Sequence, residues 1–208
     1  MKTFIRVVEL WVPDRTRTRL EFGGCLCSEE YAEFKAVSEN ALFAYDEGLP
    51  GRAWKAGMPL IIKDLHNAKS FLRWEEASEI GINCGVGIPY TTPPDQTWVM
   101  TFLSAQATPI ARRFEIWVPN PARTELVFQS GDCSKNADLI SLYASKTIRK
   151  GEGSLGGAWA TGMPAINEHL KVDESIAAQL ARAAGMNQIV VLPVIENALL
   201  KAVLAWYL

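Results

Sequence analysis

The chain repeats itself. Glu9-Leu10-Trp11-Val12-Pro13 recurs as Glu115-Ile116-Trp117-Val118-Pro119, and Arg17-Thr18, Leu20, Phe22 and Cys27-Ser28 recur at the same offset as Arg123-Thr124, Leu126, Phe128 and Cys133-Ser134. After a slip of one residue, Glu47-Gly48, Gly51, Ala53-Trp54 and Gly57-Met58-Pro59 match Glu152-Gly153, Gly156, Ala158-Trp159 and Gly162-Met163-Pro164. A second slip aligns Ala77, Gly81, Asn83, Val86, Pro89 and Val99 with Ala181, Gly185, Asn187, Val190, Pro193 and Val203. The period is about 105 residues. That is the size of a domain, where a solenoid unit is far shorter. The reading is two copies of one domain, 1–105 and 110–208, joined by a short linker near Ala105 to Arg112.

Each copy reads as an α+β unit. Val7 to Val12 and Leu20 to Leu26 are β-rich runs around the turn-forming Pro13-Asp14-Arg15-Thr16-Arg17, which predicts an antiparallel hairpin. Ser28 to Leu42 carries apolar residues at helical spacing, with Ser28 placed as its cap. Asp46 to Gly51 reads as a turn, Arg52 to Gly57 as a short helix, and Pro59 to Lys63 as a strand. A helix over 70–80 stops at Gly81, and Cys84 to Tyr90 and Trp98 to Leu103 close the copy as strands. Ile189 to Val194 and Ala202 to Leu208 are apolar at consecutive positions, which signals burial on both faces of the second sheet. The expectation is that the helix-free face, Trp11 or Trp117 included, packs on the other copy or on a second chain, giving a pseudo-dimer or a homodimer.

Composition removes several classes. Net charge is −2 and both signs are interspersed, so no phosphate-tracking surface for nucleic acid is built. Arg6 and Glu9 interrupt the apolar start, and no later apolar run is long enough to span a bilayer, so a cytoplasmic protein without membrane contact is expected. Cys25, Cys27, Cys84 and Cys133 lack metal-type spacing, and His66 and His169 stand at non-equivalent positions, so neither a metal site nor a repeated acid–base centre is expected. Gly151-Glu152-Gly153-Ser154-Leu155-Gly156 matches a dinucleotide fingerprint by letter only, because no strand precedes it. No cofactor is expected.

The string Asp46-Glu47-Gly48-Leu49-Pro50-Gly51-Arg52-Ala53-Trp54 through Leu65 resembles the middle of GAF domains from bacterial sensory proteins, where Gly-Leu-Pro-Gly-Arg-x-Trp precedes a strand. Glu9 to Pro13, Phe71-Leu72-Arg73 with Ala77 and Gly81-Ile82, and Gly87-Ile88-Pro89 extend the resemblance over nearly the whole first copy. The second copy has Ser154-Leu155 for Leu49-Pro50 and Gly157 for Arg52, and it lacks a Phe71-Leu72-Arg73 counterpart. The resemblance implies a GAF/PAS-like antiparallel sheet with helices on one face, serving as a non-catalytic sensory or regulatory module that takes a small-molecule ligand through the first copy or a signalling protein partner. It also places Phe71, Arg73 and Trp74 in the helix that covers the family's pocket, with Arg73 as the anchor for an anion; Trp54 and Cys84 complete the candidate ligand set. One GAF branch reduces free methionine sulfoxide with paired thiols, so a thiol-dependent reductase built on Cys25, Cys27 and Cys84 is the alternative.

Overall fold

The computed structural model describes residues 5–65, 72–92, 96–105, 107, 110–135 and 138–208. The chain divides into two compact units, Met1–Ile110 and Ala111–Leu208. In the first, strands β1 (Val7–Pro13) and β2 (Arg19–Cys27) form the expected hairpin. Asp14 closes its turn by accepting the backbone N–H of Thr18 at 2.9 Å, and Arg17 takes the left-handed conformation there. Helix α1 (Ala32–Glu39), strand β3 (Leu42–Ala44), helix α2 (Gly48–Ala56), strand β4 (Leu60–Ile62), helix α3 (Trp74–Glu79), and strands β5 (Cys84–Thr92) and β6 (Gln96–Ser104) follow. The sheet is antiparallel in the order β3-β2-β1-β6-β5-β4.

The second unit repeats the order with β7 (Arg113–Pro119), β8 (Glu125–Cys133), α4 (Leu139–Tyr143), β9 (Thr147–Arg149), α5 (Gly153–Thr161), β10 (Ala165–Asn167), α6 (Ile176–Ala183), β11 (Ile189–Glu196) and β12 (Leu199–Tyr207). Its sheet order, β10-β11-β12-β7-β8-β9, is the same path. Asn120 takes over the turn duty of Asp14, accepting from Thr124 N at 3.0 Å.

Three expectations change. The predicted helix from Ser28 to Leu42 is a 3-10 turn (Glu29–Tyr31), then α1, then an edge strand, and the Ser28 side chain does not cap it. Helix α2 begins at Gly48 and takes in what reads as a turn, because Pro50 sits in the first turn, where its missing N–H costs nothing. Trp11 and Trp117 lie on the helix-covered face: side chains alternate along a strand, so Trp11 shares its face with Val7 and Glu9, and all three are buried.

The helices cover one face of each sheet. In unit 1 the core gathers Val7, Phe34, Leu49, Ala77 and Leu103, continuing into Trp11, Leu20, Phe43 and Val99. In unit 2 it gathers Trp117, Leu126, Tyr143, Leu155, Ala177, Ala181, Val191, Val203 and Tyr207. The glycine turn that opens the central helix is architectural in both units. Gly51 N donates to Glu47 O and Asp46 N to Gly51 O, and Gly156 N donates to Glu152 O and Gly151 N to Gly156 O. A Cβ on Gly51 would stand 2.0 Å from Ala44 O, and one on Gly156 2.1 Å from Arg149 O, so only glycine lets each helix enter this close to the preceding strand.

Candidate functional site

Polar chemistry is buried between helices and sheet in both units, and it centres on one glutamate. Glu9, in the middle of β1, is fully buried. Arg73, just ahead of α3, grips it with both terminal nitrogens, at 2.6 Å to Oε1 and 2.9 Å to Oε2. Ser38 Oγ lies 2.8 Å from Oε1, Thr101 Oγ1 donates to Oε2 at 3.0 Å, and the Trp11 indole N–H points at Oε2 from 3.3 Å. The guanidinium carbon lies 5.1 Å from the Trp11 ring centre, 4.7 Å from that of Phe34 and 5.6 Å from that of Phe43.

Unit 2 keeps the carboxylate and moves the arginine. Glu115 is fully buried at the position of Glu9, and Trp117 donates to it at 2.8 Å. Its cation is Arg113, two residues earlier on β7, with Nε 2.5 Å from Oε1. Arg113 stands where unit 1 has Val7: Val7 pairs with Cys27, and Arg113 with Cys133. The place of Arg73 falls to Ala177, which is fully buried. Tyr143 donates to Oε1 at 2.5 Å and accepts from Arg113 Nη2, and Tyr207 donates to Oε2 at 3.1 Å. Burial pushes the Glu115 carboxyl up, against the pull of Arg113, Tyr143, Trp117 and Tyr207. Burial also pulls Arg113 down, but Glu115 and the two tyrosines outweigh it, so the guanidinium stays charged. With three hydrogen-bond donors and the Arg113 guanidinium on two oxygens, the geometry is that of an ionised pair.

Arg73 is 4% exposed and faces Glu9. Trp54, half-buried on α2, sets its ring edge-on to Tyr45 at 5.2 Å and packs on the Trp11–Phe43 cluster that Arg73 also touches. Trp74 opens α3 and is 41% exposed. Phe71 lies outside the described residues.

Cys84 does not join the other thiols. Val7 pairs with Cys27 and Leu103, and Leu103 pairs with Gly85, so Cys27 and Gly85 share the helix-covered face and Cys84 points to the other. Two strands separate β2 from β5, about 14 Å at the usual strand spacing. A disulfide needs Cα atoms within about 7 Å. Cys84 Sγ instead donates to Ser104 O at 3.3 Å. Burial, with Cys27 alongside, pushes the Cys25 thiol up to about 12, far from a nucleophilic thiolate at neutral pH.

An open cleft stands beside the unit 2 ion pair. It holds about 360 Å³ between α4 and α6 and is lined by Arg113, Lys135, Leu142, Leu180, Ala183 and Ala184. Sequence reasoning missed both the buried glutamates and this cleft. The signal for the first was present, since an acid recurs mid-strand in Glu-x-Trp in both copies; no pattern announces the second. Among the described residues no group of three or more His, Cys, Asp or Glu could hold a metal ion, and no helix is long and apolar enough to cross a membrane.

No protein-family model matches the chain, and no curated protein matches it. Solved structures do, and GAF domains recur among them. A GAF domain/HD domain protein from Geobacter sulfurreducens is 13% identical over 50% of this chain and 66% of its own, with a TM-score of 0.41. The GAF domain of a phosphoenolpyruvate-protein phosphotransferase from Coxiella burnetii is 13% identical over 48% and 56%, with a TM-score of 0.39. A free methionine-R-sulfoxide reductase from Neisseria meningitidis is 13% identical over 48% and 52%, with a TM-score of 0.37. Each match covers about half of this chain and two thirds or less of the other.

Proposed function

We propose that this chain is a non-catalytic regulatory module that binds a small molecule between the helices and sheet of its second unit. The observation that carries this reading is the open cleft between α4 and α6, floored by the buried Arg113. Its volume lies in the range of small-molecule sites. In unit 1 the matching chemistry is occupied from within: Arg73 donates two hydrogen bonds to Glu9.

Thiol-dependent reduction draws no support from the same geometry, since Cys84 stands on the far face from Cys25 and Cys27 and the Cys25 thiol is held protonated. Native mass spectrometry of the purified chain, followed by thermal denaturation with whatever copurifies, tests the reading. A bound small molecule that raises the melting temperature is the expected result. Turnover of free methionine sulfoxide with dithiothreitol as reductant would overturn it.

A further inference from the structure

Strand alternation puts Cys25 and Cys27 side by side on the helix-covered face of β2, because Cys25 pairs with Glu9 and Cys27 with Val7. Both are half-buried and unbridged, and they pack against the cluster that holds Tyr31 and Phe34. The two thiols share a hydrogen bond, so their sulfurs are in contact. They lie at an open margin of the sheet: β3 pairs only with Arg19 to Glu21, and among the described residues no strand covers the outer edge of β2 beyond them. The pair is therefore within reach of small ions from solvent.

The duplicate shows that the fold does not need both thiols. Cys133 takes the place of Cys27 and is buried, whereas Gly131 takes the place of Cys25. A Cβ on Gly131 would stand 2.4 Å from Phe114 O and 2.9 Å from Leu139 Cδ1, so unit 2 has no room for a second sulfur. Unit 1 keeps that room and fills it with a thiol.

Adjacent thiols suit a soft metal ion. With metal–sulfur bonds of about 2.3 Å, one ion in line between two sulfurs needs them roughly 4.6 Å apart, a small step from direct contact. Zinc asks for four ligands, and among the described residues no third His, Cys, Asp or Glu groups with the pair. Glu9, opposite Cys25, is already held by Arg73, Ser38 and Thr101. Two thiolates alone satisfy Cu(I). We infer that Cys25 and Cys27 form a two-coordinate site for the soft monovalent ion Cu(I). On binding, both S–H bonds break, two protons pass to solvent and two S–Cu bonds form; copper stays at +1 and no electron moves. The complex carries one net negative charge, which Glu9 opposes and Lys35 on α1 favours. The site belongs to unit 1 and stands or falls apart from the unit 2 cleft.

The test is anaerobic titration of the reduced full chain with Cu(I) buffered by bicinchoninate, followed by native mass spectrometry. One Cu(I) per chain is expected, with a sulfur-to-copper charge-transfer band in the near ultraviolet. Cys25→Ser and Cys27→Ser should each weaken binding by at least about a hundredfold, since loss of a direct ligand costs no less than loss of a group that orients one. Cys25→Gly, which installs the residue that unit 2 carries at this position, should do the same, and circular dichroism of each variant checks that it is folded. Cys84→Ser and Cys133→Ala should leave the affinity unchanged. Failure of the chain to take Cu(I) from bicinchoninate, affinity that survives loss of Cys25 or Cys27, or one copper shared between two chains overturns the inference.

Discussion

Glu9 and Glu115 show how a duplicated domain keeps an awkward residue. A buried carboxylate without a cation is costly, so the partner must persist even when its position does not. Arg73 and Arg113 reach the same carboxylate from different elements, and the exchange needs room: Val7 and Leu103 in unit 1 become Arg113 and Tyr207 in unit 2. Glu9→Gln leaves Arg73 buried without its counter-ion and should lower the stability of unit 1 by about 3–5 kcal/mol in urea denaturation. Arg73→Ala should cost a similar amount, and adding Val7→Arg to it should recover part of the loss; no recovery would mean that the two arginines are not interchangeable. Cys25, with its thiol near 12, should react with iodoacetamide at pH 7.5 far more slowly than a free thiol of ordinary pKa, as peptide mapping by mass spectrometry would show. Trp11 and Trp117 recur, but strand alternation alone does not tell which face the helices cover, so their place in the core was not legible. The ion pair of Arg73 was not legible, since a sequence does not reveal that Glu9, 64 residues away, holds it.

At the scale of elements, what could be read followed from periodicity and repetition. The hairpins, the strands near both ends of each copy and the helix at 74–79 carry clear patterns and stop signals. Strands β3 and β9 do not, because three residues are too few to show alternation and Leu42 continues the helical spacing of α1. The turn before α2 and α5 rests on glycine: Gly51→Ala or Gly156→Ala would drive a methyl into a backbone carbonyl and should destabilise its unit by about 1–3 kcal/mol or more. Helix α5 has a further anchor. Asp173 accepts from Ser154 N at 2.7 Å and Ser154 Oγ at 2.6 Å, placing a carboxylate at the positive end of the helix, and from Ser175 N at 2.9 Å. Burial raises this carboxyl, but the Ser154 and Ser175 donors outweigh it and hold it below 3.8. Its stabilisation is therefore complete above the unfolded value, near 4, and is lost as pH falls through the lower folded one. Melting temperatures from pH 5 to pH 2.5 should fall more steeply for the wild type than for Asp173→Asn; parallel curves would contradict the assignment.

For the whole molecule, duplication has yielded two units with one frame and different surfaces. Unit 1 carries the string that resembles GAF domains, which drew attention to residues 46–80, yet Gly48 to Trp54 build a turn and a helix start, and Arg73 closes onto Glu9 in the core. Unit 2 lacks much of the string and carries the open cleft, which no motif announces because its walls come from the start of β7, the residues just after β8 and one face each of α4 and α6. The most direct measurement is hydrogen–deuterium exchange of the full chain with and without a saturating amount of the small molecule that copurifies with it. The account predicts slowed exchange in α4, in α6 and at the start of β7, with unit 1 unchanged. Slowed exchange around α3 in unit 1, with α4 and α6 unaffected, would contradict it.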